Sequence, residues 1–155
     1  FDFHPNNHYA YVINEIGNTI VSYNYNEDLG TLDPTGSVPS LPSDFTGTSH
    51  TADIHVHPNG KFLYGSNRGH DSLVVCAIDQ SNGELEVIGH VATGGKNPRN
   101  FGIDPSGTFL LAANQDTGDI FTFKINPETG MLASTGEVAH VPRPVCIKFA
   151  AIGQS

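Results

Sequence analysis

A pattern that occurs three times at nearly constant spacing constrains the fold of this 155-residue chain more than any other feature. The clearest copy reads HPNGKFLYGSNRGH at 57–70, and the segments 3–15 and 103–115 align with 56–68 without a gap. Three positions of the repeat recur after 53 and then 47 residues. They are a proline at Pro5, Pro58 and Pro105, an asparagine at Asn14, Asn67 and Asn114, and a glycine at Gly30, Gly83 and Gly130. Repeats of about 40 to 50 residues built from short strands are typical of β-propeller blades.

Turn residues divide each repeat into four short segments with the residue alternation of strands. In the second repeat we predict strands at 53–57, 62–66, 72–79 and 85–91, and in the third at 100–104, 109–113, 119–126 and 131–138. The first repeat has strands at 1–4, 9–13 and 19–26 and a weaker fourth strand near Leu32. No segment has a sustained helical period, so the sequence predicts an all-β fold with almost no helix.

The repeats, at about 1–50, 51–97 and 98–143, account for three four-stranded blades, whereas closed propellers have roughly four to eight. Residues 144–149 align with 98–103 and are predicted to form the opening strand of a fourth repeat, followed by a tail at 150–155. We therefore expect the C-terminal part of a longer ring, which associates with the remaining blades or with itself. The segment 37–51 is predicted to be an extended surface loop, either functional or a simple insertion between blades.

Composition argues against several classes of function. The net charge is −9, from 16 acidic and 7 basic residues, which opposes binding to the phosphates of nucleic acid. No run of about 18 apolar residues and no charged leader is present, so we expect no membrane contact and a cytoplasmic location. Cys76 and Cys146 are too few and too far apart for a disulfide framework or a zinc motif, and both are predicted to be free, buried thiols.

Polar residues of neighbouring strands are predicted to meet at one edge of each blade. The first and second strands are antiparallel, so the start of the first lies beside the end of the second. The second strands end at Glu15, Arg68 and Gln115, and the first strands begin with Asp53 and His55 in one repeat and with Arg99 and Asn100 in the next. Because the first strand is innermost in a blade, we expect these side chains to converge at the mouth of a central channel and to bind a small anion. The alternative is structural pairing between blades.

Other repeated residues are better explained by the fold. Alternation on the first strands predicts that one set packs between blades, namely Phe1, Phe3, Ile54, Val56, Phe101 and Ile103. The repeated asparagine is predicted to be structural, because asparagine side chains readily bond local backbone in turns. His55 and His57 share a strand face but lack a third ligand, so no metal site and no cofactor are expected. His70 follows Arg68 in the same loop and is a further candidate for the site.

Several motifs together resemble one known family. They are ADIH at 52–55, SNRGH at 66–70, PRNF at 98–101, FHP at 3–5 and VINE at 12–15. This combination is similar to the lactonase family of seven-bladed β-propellers, which includes 6-phosphogluconolactonases and enzymes that cyclise carboxy-muconate. The resemblance implies a seven-bladed ring and metal-independent chemistry on a sugar-acid lactone. It also implies that the family's site arginine and glutamate correspond to Arg68 and Glu15, with Arg99 and His55 close by.

The expected function is therefore hydrolysis of a sugar-acid lactone, in the first instance 6-phosphogluconolactone. Catalytic roles are expected for Glu15, His55 and Arg68, with either Glu15 or His55 as the base, and substrate contacts for Arg99, Asp53, Asn100 and His70. Two alternatives stay open at this point. One is a lactone-forming carboxy-muconate cycloisomerase, and the other is a non-catalytic propeller that binds a ligand or a protein.

Overall fold

Three consecutive four-stranded antiparallel sheets make up the computed structural model, which describes residues 1–150. In each sheet the strands are hydrogen-bonded in chain order. Blade 1 contains β1 (Asp2–Phe3), β2 (Tyr9–Asn14), β3 (Thr19–Asn26) and β4 (Thr31–Pro39). Blade 2 contains β5 (His50–Val56), β6 (Phe62–Arg68), β7 (Ser72–Ile78) and β8 (Leu85–Ala92). Blade 3 contains β9 (Pro98–Ile103), β10 (Phe109–Asn114), β11 (Asp119–Ile125) and β12 (Leu132–His140).

The all-β prediction with four strands in each blade is confirmed, and the strand boundaries differ most from prediction at β4 and β5. β4 is a full nine-residue strand instead of a weak one near Leu32, and β5 begins at His50 instead of Asp53. The segment between them is therefore limited to residues 40–49. Sequence alternation fails for β4 because it is an exposed outer strand that contains Pro34 and Pro39, which only an edge position tolerates. Among residues 1–150 there is no helix of the length and hydrophobicity needed to cross a membrane.

The predicted strand at 144–149 is not a strand in the structure. Within residues 1–150 no strand forms a ladder with this segment, and without such a partner its backbone stays irregular. It nevertheless packs beside β9, because the backbone amide of Ile147 donates to Asn100 Oδ1 at 2.6 Å. Ile147 and Phe149 also contact Gly102, where little room is left for a side chain. Residues 151–155 of the predicted tail lie outside the described residues.

The hydrophobic core consists of two layers, one on each face of blade 2. Leu63, Val74 and Cys76 face blade 1, whereas Tyr64, Leu73 and Val75 face blade 3. The two-residue period of a strand produces this division, and it explains why β6 and β7 are buried along almost their whole length. Apolar residues between the blades, rather than any one sheet, therefore stabilise the fold.

Burial of the first strands follows the prediction only where the side chain faces a neighbouring blade within residues 1–150. Ile54, Val56 and Phe101 are buried, as predicted. Phe1 is 78% exposed and Phe3 38% exposed, because no described residue covers blade 1 on that side. The cysteines also differ from each other: Cys76 is buried, whereas Cys146 is exposed because it lies in the irregular segment after β12.

Hydrogen bonds at repeated positions connect each blade to the next. Tyr11 Oη donates to the carbonyl of Gly83 at 3.0 Å, and Tyr64 Oη donates to that of Gly130 at 2.8 Å. Both glycines have a positive φ, and the rings of Tyr9 and Phe62 lie where their side chains would be. In the same way the imidazoles of His4 and His57 lie 2.8 Å from the carbonyls of Gly60 and Gly107. Blade 3 has Leu111 and Asp104 in place of this tyrosine and histidine.

The repeated asparagine is structural, which confirms the prediction. Asn14, Asn67 and Asn114 each donate to the side chain five residues later, which begins the third strand of the same blade. Asn67 Nδ2 also donates to the carbonyl of Ser40 at 2.8 Å, and Asn114 Nδ2 to that of Thr93 at 3.1 Å. The asparagine of one blade thus holds the segment that arrives from the preceding blade.

We predict that Tyr64→Phe lowers the free energy of unfolding by about 1 to 3 kcal/mol, because the buried carbonyl of Gly130 loses its side-chain donor. Urea denaturation followed by circular dichroism measures this change. Tyr25→Phe is the matched control, since no hydrogen bond to its hydroxyl is present among residues 1–150. Equal stability of the two variants would show that the contact between blades 2 and 3 does not depend on this bond.

Candidate active site

Glu15, Ala52, Arg68 and Arg99 line one cavity of about 130 Å³. Glu15 and Arg68 come from equivalent positions at the ends of the second strands of blades 1 and 2. Ala52 and Arg99 come from equivalent positions in the first strands of blades 2 and 3. The edge predicted from the antiparallel pairing therefore brings together three of the predicted site residues from three different blades.

Two β-bulges aim Ala52 and Arg99 into the cavity. In blade 3 Asn114 pairs with Pro98 and Ala113 with Asn100, so Arg99 has no partner across the ladder. Blade 2 has the same irregularity between Thr51 and Ile54, where Ala52 lies. An extra residue in one strand bends it and redirects the side chain, and such bulges are frequent beside active sites. Ala52 is not among the predicted site residues, because a methyl group carries no chemical signal, although its alignment with Arg99 indicates the position.

Arg68 connects blade 1 to blade 2 through its guanidinium. Arg68 Nη2 donates to Glu15 Oε1 at 2.5 Å and to the backbone carbonyl of Thr51 at 2.9 Å. The hydrogen bond from Arg68 and its positive charge lower the pKa of Glu15, with smaller contributions from His50 and Arg99. Glu15 is therefore ionised at neutral pH. Its side chain is 66% exposed, whereas that of Arg68 is only 17% exposed.

Arg99 differs from Arg68 in that no carboxylate among residues 1–150 forms an ion pair with it. Its residue is exposed, and within residues 1–150 its side chain forms no ion pair or hydrogen bond. The cavity consequently holds two guanidinium groups and one carboxylate, although the chain as a whole has a net charge of −9. Guanidinium groups match the geometry of phosphate and carboxylate oxygens, so this cavity is suited to an anion.

Asp53, His55 and Asn100 form a second group on the inner strands. His55 Nε2 lies 3.2 Å from Asp53 Oδ2, and His55 Nδ1 lies 3.8 Å from Asp2 Oδ2. Asp53 Oδ2 also accepts from Asn100 Nδ2 at 2.6 Å and from the backbone amide of Phe101 at 3.2 Å. This chain of polar contacts connects the first strands of all three blades.

The predicted convergence of Asp53 and His55 with the arginines at one mouth stays a prediction. Neither residue lines the cavity, but Asp53 directly follows Ala52 and accepts from Asn100, the neighbour of Arg99. His50, not Asp53 or His55, pairs with Arg68. His55 pairs with Tyr64, which is four residues before Arg68 on β6, or about 14 Å at roughly 3.4 Å per residue.

His70 and Gln115 also lie outside the lining of the cavity. His70 Nδ1 is 2.6 Å from Ser72 Oγ, and its ring packs against Phe45 and His90. Burial, with a contribution from the charge of His90, lowers the pKa of His70. Gln115 donates its backbone amide to the carbonyl of Asn97 at 2.9 Å. The side chain of Gln115 instead accepts from Asn97 Nδ2 at 3.5 Å.

His57 and its neighbours supply no metal site. The imidazole of His57 bonds the carbonyl of Gly107 and is buried. Within residues 1–150 no three side chains of histidine, cysteine, aspartate or glutamate are arranged to hold a metal ion.

His55 has an unusual protonation behaviour. Burial disfavours its charged form, but the hydrogen bonds and negative charges of Asp2 and Asp53 outweigh this effect and raise the pKa of His55 from 6.5 to about 9. Burial also disfavours the charged form of Asp53. The hydrogen bond and charge of His55, together with the backbone amides of Phe101 and Ile54, outweigh burial and lower the pKa of the Asp53 carboxyl. His55 is thus a cation at neutral pH, held between two carboxylates.

Because the folded pKa of His55 exceeds the unfolded value, its protonation stabilises the fold fully below about pH 6.5, and this stabilisation is lost as the pH rises through about 9. We predict that the difference in unfolding free energy between the wild type and His55→Gln shrinks over this window. Urea denaturation at pH 6, 7.5 and 9.5 measures it. An unchanged difference across the window would contradict the contact between His55 and its two carboxylates.

Comparison with known proteins is consistent with this arrangement of blades. A family model described as "Lactonase, 7-bladed beta-propeller" matches residues 1–149. The chain is 42% identical over 147 residues to the 6-phosphogluconolactonase of Bacillus subtilis (strain 168), a match that covers 95% of this chain and 42% of that protein.

Two solved structures match nearly the whole chain. A protein from Lactobacillus plantarum matches with a TM-score of 0.92 at 32% identity, covering 96% of this chain and 43% of the other. The periplasmic gluconolactonase of Pseudomonas aeruginosa matches with a TM-score of 0.91 at 28% identity, covering 98% of this chain and 42% of the other. The chain spans less than half the length of these relatives. The family match over 1–149 and the three aligned blades show that the chain belongs to the lactonase family of seven-bladed β-propellers.

Proposed function

We propose that this protein hydrolyses a sugar-acid lactone, in the first instance 6-phosphogluconolactone to 6-phosphogluconate. The observation that carries the proposal is the cavity in which Arg68, Arg99 and Glu15 meet. A relative at 42% identity is named 6-phosphogluconolactonase and a structural neighbour is named gluconolactonase, which supports the same chemistry. The substrate would be a small anion, because two arginines face one carboxylate in the cavity.

Arg99 and Arg68 would hold the phosphate or carboxylate of the substrate. Arg99 is exposed and has no partner within residues 1–150, so it loses no protein contact when it binds an anion. Arg68 keeps its bonds to Glu15 and Thr51 through Nη2, which leaves its other terminal nitrogen to reach the substrate. Charge-assisted hydrogen bonds from such a pair are among the stronger polar contacts in proteins.

Glu15, rather than His55, is the residue we propose to receive the proton of the attacking water. Its carboxylate is ionised and adjoins the arginines, whereas His55 is already protonated at neutral pH and lies further along its strand. The lowered pKa makes Glu15 a weak base, so its main effect would be to orient the water and accept its proton late in the attack. A guanidinium near the carbonyl would stabilise the oxyanion that forms.

The reaction would proceed by attack of the water oxygen on the lactone carbonyl carbon while Glu15 takes one proton. The bond between that carbon and the ring oxygen then breaks, and the ring oxygen receives the proton as the chain opens. No redox step is involved, and we propose that no metal or cofactor takes part. Asp53 and Asn100 would act indirectly, by fixing the positions of the inner strands. A contact between His70 and the substrate stays a prediction.

Two further features of the whole protein are also proposals. We propose that further blades of the same propeller complete the channel beside blades 1 and 3, where Phe1 and Val145 are exposed. We also propose a cytoplasmic location, where a phosphorylated lactone would be formed and consumed. The Pseudomonas relative is periplasmic, so the fold itself does not decide the location.

The test is an assay of 6-phosphogluconolactone hydrolysis by the full-length protein in the presence of a chelator. We expect activity to persist, and we expect Arg68→Ala to lower kcat/KM by about 100-fold, since hydrogen bonds to charged groups contribute up to about 3 kcal/mol. Lys61→Ala, at an exposed turn of blade 2, is the control for loss of one positive charge.

Other results would select the alternatives. Turnover of muconate-type substrates only would identify a cycloisomerase. Binding of anions with no turnover of either substrate would favour a non-catalytic binding propeller. Full activity in Arg68→Ala would remove Arg68 from the site.

For Glu15→Gln we predict that kcat falls by about 100-fold while KM changes by less than about threefold, because the amide keeps the shape but cannot accept a proton. Steady-state kinetics measure both constants. Glu128→Gln, an exposed turn residue of blade 3, is the matched control. Near-normal turnover combined with lower stability would instead assign Glu15 to structural pairing with Arg68.

A further inference from the structure

Asp71, which has no assigned role, lies between the segments that carry the two arginines. We propose that its carboxylate is a positioning group that fixes the spacing of Arg68 and Arg99, and thereby the affinity of the cavity for a phosphate group. This inference rests on the proposed function. It concerns how the anion is recognised rather than how the lactone is opened.

On one side Asp71 holds the turn that follows Arg68. The backbone amide of Gly69 donates to Asp71 Oδ1 at 3.2 Å. Gly69 and Asp71 both have a positive φ, of 100° and 57°, so the chain reverses sharply directly after Arg68. The carbonyl of Thr48 leaves no space for a side chain on Gly69. The backbone at Arg68 is therefore confined from two directions.

On the other side Asp71 holds the segment that leads to Arg99. The backbone amide of Asn97 donates to the same oxygen, Asp71 Oδ1, at 2.8 Å. Lys96 Nζ lies 3.0 Å from Asp71 Oδ2. The amide and hydroxyl of Thr93 also donate to the backbone carbonyl of Asp71, at 3.0 and 3.1 Å. Asn97 is two residues from Arg99, so this side chain of blade 2 sets where the first strand of blade 3 begins.

The two bonds to backbone amides matter more than the ion pair. The side chain of Asp71 is 13% exposed and that of Lys96 is 70% exposed, so water screens the pair. Burial opposes ionisation of Asp71, but the bonds from Asn97, Lys96 and Gly69 outweigh it and lower the pKa of the carboxyl. An ionised oxygen that accepts from one amide in the turn after β6 and one amide directly before β9 defines the distance between the two backbones.

Arg99 depends on this distance more than Arg68 does. The guanidinium of Arg68 is held by Glu15 and Thr51, but within residues 1–150 that of Arg99 has no such contacts. The position of Arg99 is therefore set by its backbone, and a displacement of about 1 Å is enough to weaken a two-armed contact strongly.

The experiment compares Asp71→Ala and Asp71→Asn in the full-length protein on two substrates, 6-phosphogluconolactone and glucono-δ-lactone, which lacks the phosphate. For Asp71→Ala we expect KM for the phosphorylated lactone to rise at least about tenfold, with kcat within about threefold and the kinetics on glucono-δ-lactone unchanged. Asp71→Asn keeps an oxygen that accepts from Gly69 and Asn97, so it is expected to recover most of the affinity. Asp79→Ala, which removes a turn contact to Ser81 in blade 2, is the matched control.

Equal losses on both substrates in Asp71→Ala would overturn the proposal, because a merely structural role affects them alike. If Asp71→Ala does not fold, Asp71→Glu replaces it. This variant shifts the accepting oxygens by one methylene and must raise KM for the phosphorylated substrate selectively, and wild-type kinetics would overturn the proposal.

Failure of the proposed function is distinguishable. If the wild type hydrolyses neither lactone, calorimetry with inorganic phosphate decides. Weaker phosphate binding in Asp71→Ala that Asp71→Asn restores would support the positioning role. Absence of phosphate binding by the wild type, or equal binding by all variants, would refute it.

Discussion

The close contact between an aromatic ring of one blade and a turn glycine of the next is the constraint on which the structure depends. Gly83 and Gly130 have no side chain, so the rings of Tyr9 and Phe62 reach the backbone of the following blade. The carbonyls of the same glycines accept hydrogen bonds from buried tyrosines. These contacts fix the angle between successive sheets, and apolar burial on both faces of blade 2 stabilises that angle.

The cavity inherits its geometry from those interfaces, because no blade contains all of its charged groups. Glu15 belongs to blade 1, Arg68 to blade 2 and Arg99 to blade 3. A small rotation at either interface changes the distance between the charges without changing any strand. Polar contacts that cross the same interfaces, from Asp53 on the inner strand and from Asp71 beside the connecting segment, oppose such rotations. Site and fold are therefore stabilised by the same interactions.

Much of this architecture could be predicted from the sequence, because a repeat shows each position three times. The alignment identified the four strands of each blade, the structural asparagine and the edge where Glu15, Arg68 and Arg99 meet. It did not identify where β5 begins, since ladder pairing at His50 and the bulge at Ala52 depend on the neighbouring strand. The role of Asp71 could not be predicted for a similar reason: its two amide partners are 28 residues apart in the chain, at Gly69 and Asn97, and backbone amides leave no trace in a sequence.

Blade 3 departs from the pattern of the other two. Where blades 1 and 2 have a tyrosine and a histidine that bond the following blade, blade 3 has Leu111 and Asp104, and Asp104 instead accepts from its own turn at Ser106 and Thr108. Blade 3 therefore lacks, at these two positions, the side chains whose bonds join blade 1 to blade 2 and blade 2 to blade 3. We expect local opening to cost less free energy at a blade face that lacks these bonds than at the two junctions that have them.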